Sequence, residues 1–228
     1  MYDLTHPIES GMPVYPGDPE VSVEAADTFA ADGCRVSALA CGSHAGTHVD
    51  APSHTERDGR SLDDYPVSAF VRDAVVIDCT DLDARERIPA ERVPAAAADP
   101  TDTEDGHDVD CVVFHTGWDR HWGTDRYRDH PYLSVAAAER CAERGLAVAV
   151  DGFSPDPTPP AEGDLTIGDR DPFGAHHALL GEGVLVFENL ANLASVPAQF
   201  ELRALPIALG GDGAPVRAVG VDRAGRRE

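Results

Sequence analysis

Ser134-Val135-Ala136-Ala137-Ala138-Glu139-Arg140-Cys141-Ala142-Glu143-Arg144-Gly145-Leu146-Ala147-Val148-Ala149-Val150 reads as a helix that turns directly into a buried strand. Ser134 offers an N-cap hydroxyl, strong helix formers fill Val135 to Arg144, and Gly145 is the stop. Leu146 to Val150 is wholly apolar, and similar short runs bounded by turn residues recur at Ala74 to Ile77, Cys111 to Phe114, Val184 to Phe187, Leu205 to Leu209 and Val216 to Val221. Ala90 to Ala98, stopped near Asp99-Pro100, predicts a second helix, and Val67 to Val71 a short third. The acidic stretch between Asp99 and Asp110 lacks apolar periodicity and predicts a surface loop. With no linker and no repeat, these elements predict an α/β chain: a mixed sheet or barrel-like β core with flanking helices, forming a single domain over residues 1–228.

The 228 residues carry 41 acidic and 18 basic side chains, a formal net charge of -23. No lysine occurs, so every basic residue is arginine, and the acidic ones are spread along the chain. That charge opposes binding to nucleic acid or to an anionic membrane surface. A dense carboxylate surface also repels itself until salt screens it. At ~1 M salt the Debye length is only ~3 Å, so the pattern predicts a halophilic protein in a high-salt cytoplasm. Without lysine, Schiff-base, phosphate-loop and Ser-Lys chemistries are excluded, which leaves His, Asp, Glu, Ser, Tyr and Cys. Cys34, Cys41, Cys79, Cys111 and Cys141 are scattered, include no C-x-x-C pair, and read as small buried apolar residues. No basic-plus-apolar segment precedes Tyr2-Asp3-Leu4, and no apolar stretch approaches the ~20 residues of a membrane helix, so a soluble cytoplasmic protein is expected.

Ligand chemistry concentrates in His44-Ala45-Gly46-Thr47-His48-Val49-Asp50-Ala51-Pro52-Ser53-His54, spaced H-x-x-x-H-x-D-x-x-x-H. Imidazole with carboxylate is the donor set that holds zinc, manganese or iron(II) in hydrolytic sites, where the ion lowers the pKa of water to ~7. Gly42, Gly46, β-branched Thr47 and Val49, and Pro52 oppose a helix and predict a strand running into a tight turn. On a strand His44, His48 and Asp50 differ by even steps and project to one side, as one shared metal requires. The alternation Val36, Ala38, Ala40 predicts an extended approach to the site. His54 keeps the parity but lies beyond Pro52, which predicts an imidazole near the metal without binding it. With an ordinary pKa of about 6.5 it suits proton transfer at neutral pH.

The same run resembles the H-x-G-T/A-H-x-D-x-P-x-H signature of the cyclase family, which includes bacterial kynurenine formamidases and isatin hydrolases. The resemblance continues through Tyr2-Asp3-Leu4-Thr5, Pro13-Val14-Tyr15-Pro16-Gly17-Asp18, Phe114-His115-Thr116-Gly117-Trp118, Ala175-His176-His177, Leu202-Arg203-Ala204-Leu205-Pro206 and Ala214-Pro215-Val216-Arg217-Ala218-Val219. It implies that His44, His48 and Asp50 hold a first metal and that Asp50 bridges to a second. A later histidine and glutamate, matched here by His176 and Glu188, complete the second. His54 falls where the family places its general acid/base. The implied cofactor is one or two divalent ions per subunit, zinc or alternatively manganese, and the implied assembly is a homodimer or higher homo-oligomer. Glu188 follows the apolar run Val184 to Phe187, and a carboxylate at a strand end is well placed to face a site. In an extended chain only one of His176 and His177 faces the metal; the spacing to Glu188 selects His176, with His177 the alternative.

The resemblance departs at Tyr15, which stands where kynurenine formamidases carry a pocket-lining tryptophan. A tyrosine there still stacks on an aromatic substrate and adds a hydroxyl. It departs again in Asp151-Gly152-Phe153-Ser154-Pro155-Asp156-Pro157, a variant of the family's D-x-x-S-x-D stretch. The predicted activity is metal-dependent hydrolysis of an amide bond in a small molecule, with N-formylkynurenine, an intermediate of tryptophan catabolism, as the leading substrate. Its formyl group is small and its aniline leaves more readily than an alkylamine. The alternatives are a hydrolase or cyclase acting on another cyclic amide such as isatin, and a non-catalytic metal-binding relative, which closed coordination would mark. A serine hydrolase is opposed by the lack of G-x-S-x-G, and the surroundings of Cys41 read as strand packing.

Overall fold

The computed structural model describes residues 1–94, 109–160 and 172–222. Strands run over Tyr2–Asp3 (β1), Ser22–Asp27 (β2), Val36–Ala40 (β3), His48–Asp50 (β4), Val71–Asp78 (β5), Arg87–Ile88 (β6) and Cys111–His115 (β7). They continue with Tyr132–Leu133 (β8), Ala147–Val150 (β9), Val186–Glu188 (β10), Gln199–Pro206 (β11) and Gly213–Val221 (β12). Helices are Phe29–Asp32 (α1), Val135–Ala142 (α2) and Gly174–Leu180 (α3). One mixed sheet has the order β1-β12-β11-β5-β7-β9-β10-β4, and β4 pairs again with β12, so that all of these strands except β1 close into a barrel. The expected barrel-like β core with flanking helices is therefore what the chain forms.

The pairs β5–β7, β7–β9 and β9–β10 are parallel and the other barrel pairs antiparallel. Parallel strands are covered on both faces, which is why they read as unbroken apolar runs. Alternation sorts their side chains: Val113, Ala149 and Phe187 pack inward with Val49, Leu202 and Ala218. Val112, Val148 and Val186 pack outward against Ala138 of α2 and Leu179 of α3. Glu188 is opposite His48 and Val186 opposite Asp50 in the β10–β4 pairing. These polar side chains therefore share the parity of Val186 and leave the barrel on its helix-covered side.

Ser134 caps α2 through a hydrogen bond from the Ala137 N–H at 3.2 Å, and Gly145 takes the left-handed conformation after the helix. The Val67 to Val71 helix is instead a 3₁₀ turn over Val67–Phe70, because Val71 already begins β5. The Ala90 to Ala98 helix reduces to the 3₁₀ turn Ala90–Arg92. Val93, held extended ahead of Pro94, ends it, and residues 95–98 lie outside the described residues, as do residues 99–108 of the expected surface loop. Leu205 to Leu209 is not a strand of its own: β11 ends at Pro206, leaving Ile207 and Leu209 exposed in the turn to β12. The Val36 to Ala40 segment is no approach to the site, since β3 pairs only with β2 in a separate ribbon and all five of its residues are exposed. Cys79, Cys111 and Cys141 are buried as expected, but Cys41 is half-buried and Cys34 exposed.

Candidate metal centre

The strand reading of the histidine run holds for His48 and Asp50 only. β4 begins at His48, and His44 precedes a turn at Gly46 with φ 65°. A Cβ on Gly46 would lie 2.9 Å from Met12 Cε, and its left-handed φ favours glycine in any case. The turn is used twice: the Gly46 carbonyl accepts from His48 Nδ1 at 2.8 Å and from Asn189 Nδ2 at 3.0 Å. His44 thus reaches the site by folding back instead of by strand parity, with Nδ1 2.7 Å from Asp50 Oδ1. His176 and His177 lie on α3, not on an extended segment. Successive helical residues diverge in direction, so His176 is buried facing β4 and β10 while His177 is exposed and pairs with Glu56 at 2.7 Å.

His48 Nε2 lies 3.1 Å from both Asp50 Oδ1 and Glu188 Oε2, and His176 Nε2 lies 3.3 Å from Glu188 Oε1 and 3.6 Å from Asp50 Oδ2. These are close approaches without bonds: His48 Nε2, Asp50 Oδ2 and Glu188 Oε1 are buried and have no hydrogen-bond partner. Three orphaned polar atoms at one buried point are costly unless something else satisfies them. The opposite ring nitrogens are tied down, His48 Nδ1 to the Gly46 carbonyl and His176 Nδ1 to Asp156 Oδ2, both at 2.8 Å. A carbonyl and a carboxylate only accept, so each Nδ1 carries a hydrogen, and it is Nε2 that faces the carboxylate group and would offer its lone pair to a metal. His44, His48 and Asp50 form one group able to hold an ion, and Asp50, His176 and Glu188 another, sharing Asp50. The donor set fits a divalent metal.

His54 ends the 3₁₀ turn Pro52–His54 and lines a pocket of about 510 Å³ together with Tyr15, Phe153, Phe173, His176 and Glu188. Its ring centroid is 4.0 Å from that of His44 and 5.5 Å from that of His176. Burial lowers the His54 pKa, Asp50 opposes that, and His44 and His176 lower it further, so the imidazole sits below its ordinary 6.5 and is a neutral proton acceptor at pH 7. Burial first, then the Glu188 charge, pushes the Tyr15 phenol up to about 12, so it remains a hydrogen-bond donor to anything in the pocket. Burial pushes the Asp50 carboxyl up, but His48, His176 and His44 outweigh it and hold Asp50 well below the usual carboxylate range.

Four residues of the site were assigned no role by the sequence. Asp156 accepts from the Ala175 N–H, the His176 N–H and His176 Nδ1 at 2.8, 2.9 and 2.8 Å, so one carboxylate caps α3 and orients its histidine. Asp212 accepts from His44 Nε2 at 2.9 Å, across 168 positions of sequence. Phe153 and Phe173 supply the apolar walls. The signals were the variant D-x-x-S-x-D stretch, which contains Phe153 and Asp156 but carried no role for them, and the placing of Asp212 between two glycines.

A family model named Cyclase matches residues 2–157. The chain belongs to the cyclase family. Among relatives of this cyclase chain, the kynurenine formamidase of Salinibacter ruber is 31% identical over 227 residues, 96% of each chain. Isatin hydrolase A from Labrenzia aggregata, solved with benzyl benzoate, superposes with a TM-score of 0.77 at 25% identity, covering 96% of this chain and 91% of that one. A solved structure described as a potential metal-dependent hydrolase with cyclase activity superposes with a TM-score of 0.72 at 25% identity, covering 97% of both chains.

Proposed function

We propose that this cyclase-family chain, as one hydrolase domain over residues 1–228, cleaves the formyl amide of an N-formylated arylamine, with N-formylkynurenine as the substrate. The observation that carries the reading is the convergence of orphaned donor atoms from His48, Asp50 and Glu188 beneath a pocket that also holds a neutral imidazole and three aromatic rings. Full-length similarity to a kynurenine formamidase supports the choice of substrate.

His44, His48 and Asp50 would hold one ion and Asp50, His176 and Glu188 a second, zinc by preference and manganese as the alternative. When bound, a divalent ion in such a set supplies Lewis-acid chemistry and makes water nucleophilic near neutral pH. The side chains do the rest. Tyr15 stacks on the aryl ring and donates its hydroxyl, while Phe153 and Phe173 exclude bulk water. His54 takes a proton from the attacking water and returns it to the departing aniline nitrogen as the C–N bond breaks, leaving amine and formate. The same machinery opens a lactam, and similarity to isatin hydrolase A favours a cyclic amide as the second reading. Proton transfer by His54 is what separates both from a non-catalytic metal-binding relative.

The charge of -23 and the lack of lysine support a halophilic, cytoplasmic enzyme. Among the described residues no helix is long and apolar enough to cross a membrane. A homodimer is favoured by the β2–β3 ribbon and the α1 turn that joins its strands, where Phe29, Val36 and Leu39 stand exposed. The deciding experiment is metal analysis of purified protein combined with hydrolysis of N-formylkynurenine and isatin in high salt. Bound divalent metal with preferential turnover of N-formylkynurenine is expected. Preference for isatin installs the second reading, and neither metal nor turnover sinks both.

A further inference from the structure

Asp212 belongs to neither ligand group, yet His44, His54 and Asp212 form a third cluster of close donor atoms. Its backbone is fixed where the turn from β11 enters β12. The Asp212 carbonyl accepts from the Ala51 N–H at 2.8 Å, and the next residue, Gly213, pairs with Asp50 in β4. A Cβ on Gly213 would lie 2.5 Å from His44 Cε1, so the imidazole rests directly against the β12 backbone. From there the carboxylate meets two rings with one oxygen: Oδ2 is 2.9 Å from His44 Nε2 and 3.6 Å from His54 Nδ1.

Both carboxylates only accept, so the His44 ring is held from its two sides, Nε2 by Asp212 and Nδ1 by Asp50, and contact with Asp212 keeps Nδ1 turned toward the ligand group. The His54 contact is longer than a hydrogen bond, as catalytic contacts often are before substrate binds. Asp212 is 45% exposed at its side chain and His54 28%, so solvent reaches both groups.

We propose that Asp212 is a positioning residue that tethers both imidazoles, holding the His44 ring with Nδ1 toward Asp50 and aligning His54 with Nδ1 toward the carboxylate and Nε2 toward the substrate. This rests on the hydrolase reading above for its kinetic consequence only. In the metal-saturated enzyme, D212N is expected to lower kcat about 10- to 100-fold. KM should stay within about twofold, and in the H54A background D212N should cause a much smaller further loss, since only its hold on His44 remains. Equal losses in both backgrounds, or none in either, overturn the tether.

A second arm does not depend on turnover. In metal-free protein with ¹⁵N-labelled histidine rings, D212N is expected to shift the His44 and His54 signals while leaving His130 in place. Unchanged His44 and His54 signals overturn the inference whether or not N-formylkynurenine is hydrolysed. Shifted signals beside an inactive parent protein uphold the tether and remove the hydrolase reading.

Discussion

His48 and His176 each have one ring nitrogen satisfied by an acceptor and the other aimed at carboxylate oxygens it does not bond. This division of labour is local chemistry, set by the Gly46 carbonyl and the Asp156 carboxylate. His54 differs in being held more loosely; its Nδ1 meets Asp212 at 3.6 Å, longer than a hydrogen bond, consistent with a ring that must exchange protons. His54→Ala is accordingly expected to lower kcat by about 10²- to 10⁴-fold while metal content per chain, read by elemental mass spectrometry, stays at the parent value. Loss of metal in that variant would make His54 a ligand instead. His44, His48, Asp50 and His54 were legible as a cluster because they are adjacent in sequence. Asp212 was not, since its 2.9 Å contact with His44 is made from a half-exposed loop residue.

At the scale of elements, the site depends on β4 lying between β10 and β12, which sets Glu188 opposite His48 and Gly213 opposite Asp50. Even-step spacing identified the shared face of His48 and Asp50 because β4 is a strand there. It failed for His44, which is carried by the Gly46 turn; for the His176-His177 pair it selected the inward ring on a premise the structure replaces, since both lie on the short helix α3, capped from afar by Asp156. Gly213→Ala tests the packing of ring on strand. The new methyl would lie 2.5 Å from His44 Cε1 and 3.0 Å from the Val49 carbonyl. Overpacking of this kind costs about 1–3 kcal/mol, so the barrel is expected to persist by circular dichroism while metal affinity, measured by chelator competition, falls. Parent-like affinity would show that the His44 position is not set by this contact.

For the whole molecule, the carboxylate excess is spread over the surface while the barrel interior and the helix interface are apolar. Repulsion among those charges falls as the Debye length shrinks from ~10 Å at 0.1 M salt to ~3 Å at 1 M. The thermal unfolding midpoint is therefore expected to rise with sodium chloride over that range, followed by circular dichroism. A flat or falling midpoint would remove the halophilic reading.

The amino-acid sequence alone determined the apolar runs that become the doubly covered strands β7, β9 and β10, the cap and stop of α2, and the clustering of His44, His48, Asp50 and His54. Each is a property of near neighbours: periodicity, capping and spacing act over a few residues. Tertiary structure alone decided that β4 closes the barrel against β12, that a helix and not an extended segment turns His176 inward, and that Asp156 and Asp212 reach the histidines. Those outcomes rest on strand register and helix placement, which depend on contacts between distant parts of the chain that no local pattern encodes.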